Sequence, residues 1–332
     1  MVQWRKAVTA LMAAAAMAGL PGLLVALATT KAAAQDYPTK PVRLIVPFTP
    51  GGSVDAVARA IAARLSERLG RQVVTENRPG ASGIIATELA VKAPPDGHTL
   101  LMMSFSHATS PWVYKLPYDP RRDFTPLILL AKGISVLSVN PAVPANSVKE
   151  LIALAKSKPK QLHFGNAGVG TYSHTSAVLF AMMAGIEVEH VPFKGTGPAM
   201  IDVIGGHTQA LMNSIVNAQP HIRSGKLKGL GLSDSRRSPL LPELPTIDEA
   251  GVPGYEASNW WGIAVPAGTP QPIVERLHRE ITAVQNSDDV KQQFAKDGAA
   301  IVQISTAEFG RFFLAEMEKW GKVVKEANIK VE

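Results

Sequence analysis

Two short stretches combine glycines and hydroxyl side chains as an anion-binding turn requires. The first is Phe48-Thr49-Pro50-Gly51-Gly52-Ser53-Val54-Asp55, and the second is Gly165-Asn166-Ala167-Gly168-Val169-Gly170-Thr171-Tyr172-Ser173-His174. Glycine lets backbone N–H groups come close to a bound molecule. A helix that starts directly after such a turn leaves its first N–H donors free and carries partial positive charge there. Together these features hold an anion without lysine or arginine. The plain alternative is a pair of ordinary strand-to-helix turns. Either turn alone favours that alternative; two of them, one in each half of the chain, favour a ligand held between them. Asp55, in the first turn of its helix, reads first as a capping or dipole partner and second as a ligand contact.

Other chemistries lack their residues. There is no cysteine, which excludes disulfides, a thiolate nucleophile and Cys-ligated zinc or iron–sulfur sites. Gly168-Val169-Gly170-Thr171-Tyr172-Ser173 lacks the third glycine of a dinucleotide loop, and the first stretch lacks phosphate-loop spacing. No G-x-S-x-G elbow exists. No H-E-x-x-H or close His/carboxylate group exists, so neither a metal nor any other cofactor is expected. Ser173 and His174 are adjacent and diverge on a helix, so they do not form a nucleophile–base pair. The 34 Lys+Arg against 27 Asp+Glu give a formal charge of +7. That excess is dispersed, its densest pairs being Arg121-Arg122 and Arg236-Arg237. Nucleic acid is therefore not an expected partner. Trp260-Trp261 on one strand face opposite ways, which leaves two readings open: one ring in a core with the other lining a cleft, or neither ring at a cleft.

Both turns need strands and helices to hold them. Residues 41–48 read as a buried strand. Val54, Val57, Ala58, Ile61, Leu65 and Leu69 then recur at helical spacing, with Ser53 as N-cap and Gly70 just past the end. A strand over 72–76, a turn over 77–83, a helix through Ile84, Ile85 and Leu89, and a strand over 99–104 follow. This βαβαβ run predicts an α/β fold with a parallel sheet. The same grammar resumes with strands at 134–140, 162–165, 188–192, 209–212, 227–232 and 260–265. Helices are predicted over 147–156, 175–184, 198–204, 215–224, 271–285 and 307–327. With 332 residues and 46% hydrophobic content, the chain is not disordered and is long enough for two domains.

The first 34 residues read as an address. Trp4-Arg5-Lys6 precede an apolar run over 7–28, and Ala32 and Ala34 fit the small residues before a cleavage site. A membrane anchor is the alternative, since the run is long enough to span. The Gly19-Leu20-Pro21-Gly22 break favours cleavage near Ala34 and a soluble protein exported to a periplasm.

Tyr37-Pro38-Thr39-Lys40-Pro41-Val42-Arg43-Leu44-Ile45-Val46-Pro47-Phe48-Thr49-Pro50-Gly51-Gly52 resembles the opening of tripartite tricarboxylate transporter substrate-binding proteins, the Bug receptors. Glu76-Asn77-Arg78-Pro79-Gly80-Ala81, Pro94-Pro95-Asp96-Gly97-His98-Thr99-Leu100, Val191-Pro192-Phe193-Lys194-Gly195 and Pro245-Thr246-Ile247-Asp248-Glu249-Ala250-Gly251 are similar to further blocks, in order. The resemblance implies a two-lobed periplasmic binding fold of type II, a Venus flytrap with its ligand between the lobes. Residues 1–34 would be the signal peptide. Lobe one would be 36–137 with 259–332, lobe two 138–258, with hinges near 137 and 259. It implies a ligand carboxylate held between the two loops, partly through waters. The candidate contacts are Phe48, Thr49, Gly51, Gly52, Ser53, Asp55 and Ser104 in lobe one. In lobe two they are Gly168, Gly170, Thr171, Ser173, His174, Lys194 and Asn213. Asn213 stands where an acidic residue is common, which disfavours a ligand carrying an ammonium group. The expected partners are a small organic acid and the integral membrane subunits of a tripartite transporter, with the receptor itself a monomer. An exported α/β enzyme acting on an organic acid, or presentation of ligand to a signalling partner, are the competing readings.

Overall fold

Val42–Val46 (β1) is almost wholly buried, and a strand with both faces covered pairs well in a parallel sheet. It pairs in parallel with Val73–Asn77 (β2) and Thr99–Ser104 (β3). The computed structural model describes residues 37–50, 53–193, 195–296 and 298–329; the expected export signal lies outside these. Between β1 and β2, helix Ser53–Leu69 (α1) buries Val57, Ala58, Ile61 and Leu65 at the expected spacing. Gly70, at φ +65°, ends it in a left-handed turn. The next helix, Ile84–Val91 (α2), turns differently from its apolar pattern. It buries Ala86, Thr87 and Ala90 and leaves Ile85 and Leu89 exposed. The small side chains let this short helix lie close to the sheet.

The first sheet is mixed, not parallel as the βαβαβ run predicts. Its order is β11-β4-β10-β3-β1-β2. Asn259–Pro266 (β10) lies antiparallel to β3 on one side and to Phe124–Gly133 (β4) on the other. Ala299–Ile301 (β11) adds an antiparallel edge. The chain leaves this sheet through β4 and comes back through β10 from the other sheet, so the returning strand runs the opposite way. Neither β4 nor helix Ser106–Val113 (α3) is anticipated by the sequence. Pro126 and Pro111 sit inside them, and proline reads as a breaker in both contexts.

The second sheet has the order β7-β6-β8-β5-β9. Ser135–Val139 (β5) pairs along its whole length with Ala210–Ser214 (β8) and over most of it with Lys228–Leu232 (β9), antiparallel to both. The chain therefore passes from the first sheet to the second between Gly133 and Ser135. His163–Asn166 (β6) runs parallel to β8 and to Glu189–Pro192 (β7). Helix Tyr172–Ala184 (α4) follows β6 after a five-residue turn.

One hydrophobic cluster continues from the first sheet to the second. At its centre the Phe105 ring meets Tyr172 at 5.1 Å and Trp320 at 4.7 Å between centroids. Trp320 comes from the long helix Thr306–Glu326 (α5), whose start is fixed by a capping box of Ser305 and Glu308. Trp260 is fully buried and packs on this helix, while Trp261 points into the opposite face of the sheet.

Candidate functional site

The C-terminal end of β1 runs out through Phe48, Thr49 and Pro50, and α1 begins at Ser53. Gly51 and Gly52 lie outside the described residues. Asp55 is buried, and its side chain braces this turn. Its Oδ2 accepts from Arg59 Nε at 2.9 Å and its Oδ1 from Asn77 Nδ2 at 2.9 Å. Asn77 Nδ2 also donates to the Phe48 carbonyl at 2.9 Å. The carboxylate thus ties both flanks of the first turn to the end of β2. Thr49 and Ser53 are exposed at the rim.

Ser104 ends β3 beside this turn. Its backbone N–H donates to His107 Nδ1 at 3.1 Å. Nδ1 is also 3.1 Å from the Ser104 carbonyl, Nε2 lies 3.0 Å from Thr87 Oγ1, and Thr87 donates to the Gly83 carbonyl at 2.9 Å. Burial pushes His107 down to about 4, so the imidazole is neutral at physiological pH. The Ser104 hydroxyl itself is buried and has no hydrogen-bond partner. Directly across the ladder stands Trp261, whose Nε1 is likewise buried and unpartnered. Opposed residues of an antiparallel pair share a face, so both groups stand on the α1 side of the sheet. Native proteins rarely leave such groups unsatisfied.

The second turn is built largely from its own hydrogen bonds. Asn166 Oδ1 accepts from Gly168 N at 3.0 Å, and Ser173 Oγ accepts from Ala167 N at 2.9 Å. Thr171 Oγ1 donates to the Gly168 carbonyl at 2.6 Å. Gly168 sits at φ +122° and Gly170 at φ +74°, conformations that favour glycine. A Cβ on Gly170 would also lie 3.3 Å from Val113 of α3. Thr109 Oγ1, from the same helix, donates to the Gly170 carbonyl at 2.9 Å and joins the turn to the first sheet. Asn166 Nδ2 is buried with no partner at the end of β6.

The remaining candidates are placed differently. Asn213 is buried in β8; its Oδ1 accepts from Ser138 Oγ at 3.3 Å and its Nδ2 faces Met200 Sδ at 3.6 Å. His174 accepts from Gly170 N at 3.2 Å through Nδ1 and lines a separate cavity with His190. Lys194 lies outside the described residues. Three groups escaped the sequence reading as site features: His107, Thr109 and the Asn166 amide. Asn166 stands inside the second Gly-rich stretch. Nothing in the local sequence marks His107 or Thr109.

The site can bind by backbone N–H groups, neutral side-chain donors and helix starts. Among the described residues no cluster of three His, Cys, Asp or Glu side chains could hold a metal. No described helix is long and apolar enough to cross a membrane.

The sequence matches the model of the tripartite tricarboxylate transporter family receptor over residues 57–329. It is 36% identical to protein BugT of Bordetella pertussis over 317 residues, 94% of this chain and 97% of that protein. Among solved structures, R. palustris Rpa4515 with adipate superposes with a TM-score of 0.82 at 39% identity, covering 89% of this chain and all of that one. MatC from Rhodopseudomonas palustris with bound malate gives 0.78 at 33%, covering 87% of this chain and all of that one.

Proposed function

The chain belongs to the tripartite tricarboxylate transporter family of receptors, and on that premise we propose that it captures a small dicarboxylate between its two sheets and delivers it to the membrane subunits of a transporter. The family is one of periplasmic receptors and not of enzymes, and the fold is the two-lobed type II binding fold. One observation carries the ligand reading. Ser104 Oγ and Trp261 Nε1 on one sheet, and Asn166 Nδ2 on the other, are buried polar groups without partners at strand ends beside helix starts. A carboxylate needs several donors at once, and these groups need an acceptor. The relatives solved with adipate and malate hold dicarboxylates, and the neutral Asn213 gives no counter-charge to an ammonium group. Phe48, Thr49, Pro50 and Ser53 with Ser104 form the first wall of the site, and Gly168 to Ser173 form the second. The lobes divide at Ile134 and near Asn259, and the mature receptor begins after Ala34 in the periplasm.

Titration calorimetry with adipate, malate and an acidic amino acid tests the reading. The dicarboxylates should bind and be recovered unchanged, and the amino acid should bind far more weakly. Delivery is tested by uptake into vesicles carrying the membrane subunits, with and without the receptor. Absence of binding to every small carboxylate would overturn the ligand class, and binding without uptake would overturn delivery.

A further inference from the structure

A second cavity, of about 560 Å³, opens along α4 on the side of His174. Its walls are mainly apolar, with Val169, Val178, Ile186, Val188 and Ile329 among them. Two imidazoles supply its polar end. His174 and His190 meet edge to face with ring centroids 5.1 Å apart. His174 spends Nδ1 on the Gly170 N–H, whereas His190 Nδ1 is buried and has no hydrogen-bond partner. Burial holds both rings below the usual histidine range, His174 at about 4, so both are neutral at physiological pH. Lys160 and Glu187 compensate one another at the mouth, 3.8 Å apart and both mostly exposed.

The volume falls in the range of small-molecule sites, and mostly apolar walls with a few convergent polar groups are their usual composition. No uncompensated charge among the lining groups favours an anion or a cation. A hydroxyl can donate to or accept from a neutral imidazole in either tautomer, and an apolar ring fits the walls. We propose that this cavity is a second ligand site, distinct from the carboxylate site, that takes a small uncharged phenol. Its position gives it a route to the carboxylate site. Val169 lies between Gly168 and Gly170 of the second turn, and His174 accepts from that turn. Ala327 to Ile329 also line the cavity, and they follow the long helix α5 that packs on the first sheet. The occupant would therefore touch elements of both lobes.

The test is a fluorine NMR titration of the full protein with 4-fluorophenol, with p-cresol and adipate as competitors. Saturable binding that p-cresol displaces and adipate does not is expected. Ala181→Phe should fill the cavity and weaken binding at least tenfold. His190→Phe should weaken it several-fold by removing Nδ1 while keeping ring volume. Melting curves establish that both variants are folded. No saturable binding, displacement by adipate, or unchanged affinity in both folded variants would overturn the proposal.

Discussion

Ser104 carries two jobs on one residue. Its backbone N–H is fixed by a neutral histidine, and its hydroxyl is buried without a partner. Within the protein that hydroxyl contributes no bond, so Ser104→Ala should leave the melting temperature unchanged or slightly raised. Toward a carboxylate it would make a charge-assisted bond, which contributes about 1.5–3 kcal/mol. Affinity for adipate should therefore fall roughly ten- to a hundredfold. Calorimetry and melting curves on the same variant check both halves, and wild-type affinity would remove Ser104 from the site. Ser173 differs because its hydroxyl accepts the Ala167 N–H. The sequence presented Ser173 as a ligand contact; the structure also makes it a brace of the turn, a role that no spacing could reveal. His107 gives a pH dependence. Its folded value of about 4 lies below the ordinary 6.5, so the unfolded chain binds the proton first. Above pH 6.5 neither state is protonated and stability is full. Between pH 6.5 and about 4 the native state should lose up to about 1.4 kcal/mol per pH unit for this residue. His174 is shifted in the same direction for the same reason. Urea denaturation at pH 7.5, 5.5 and 4.5 measures the slope, and His107→Gln should reduce it.

At the scale of elements, local periodicity was legible where local forces decide. The spacing of Val57, Ile61 and Leu65 marks α1 because one face of that helix must be buried whatever it packs on. Strand direction was not legible, because β10 runs antiparallel to β3 only through the route the chain takes to the other sheet and back. The two prolines that hid α3 and β4 are tolerated because tertiary packing outweighs their local preference. The long helix α5 shows how such packing is made specific. Glu316 Oε2 accepts from Trp260 Nε1 at 3.1 Å and from Trp320 Nε1 at 3.0 Å, which pins the helix to the start of β10. Burial raises this carboxyl above the ordinary range, against the pull of Lys319 and Lys132. A raised acid keeps its proton longer in the folded state, so stability declines as pH rises through the ordinary carboxyl value toward the folded one. At neutral pH the penalty is fully in place. A glutamine retains an acceptor for both indoles without the charge. Glu316→Gln should therefore raise the melting temperature at pH 7 by a few degrees, with little change near pH 4. A lower melting temperature at pH 7 would show that the two lysines outweigh burial.

For the whole molecule, the decisive feature is that the two sheets are joined at their ends by few polar bonds but by a continuous core. Phe105, Tyr172 and Trp320 pack against one another in this core. The chain crosses twice, at Ile134 and just before Asn259. Element ends of this kind absorb hinge motion. Beside these rings, Thr109 Oγ1 of the first lobe donates to the Gly170 carbonyl of the second at 2.9 Å. This bond is placed to hold the second turn against α3, where a Cβ on Gly170 would lie 3.3 Å from Val113. Thr109→Val keeps the shape of the side chain and removes the donor. One net hydrogen bond is worth about 1 kcal/mol, so the balance between closed and open arrangements should shift about fivefold toward open. Affinity for a dicarboxylate that needs both turns should fall by up to that factor, in step with the closed fraction, because only that fraction is competent. Small-angle scattering should show a larger mean radius for the variant and recovery of the wild-type value at saturating adipate. Identical dimensions together with unchanged affinity would mean that the core alone sets the angle between the lobes and that Thr109 is no latch.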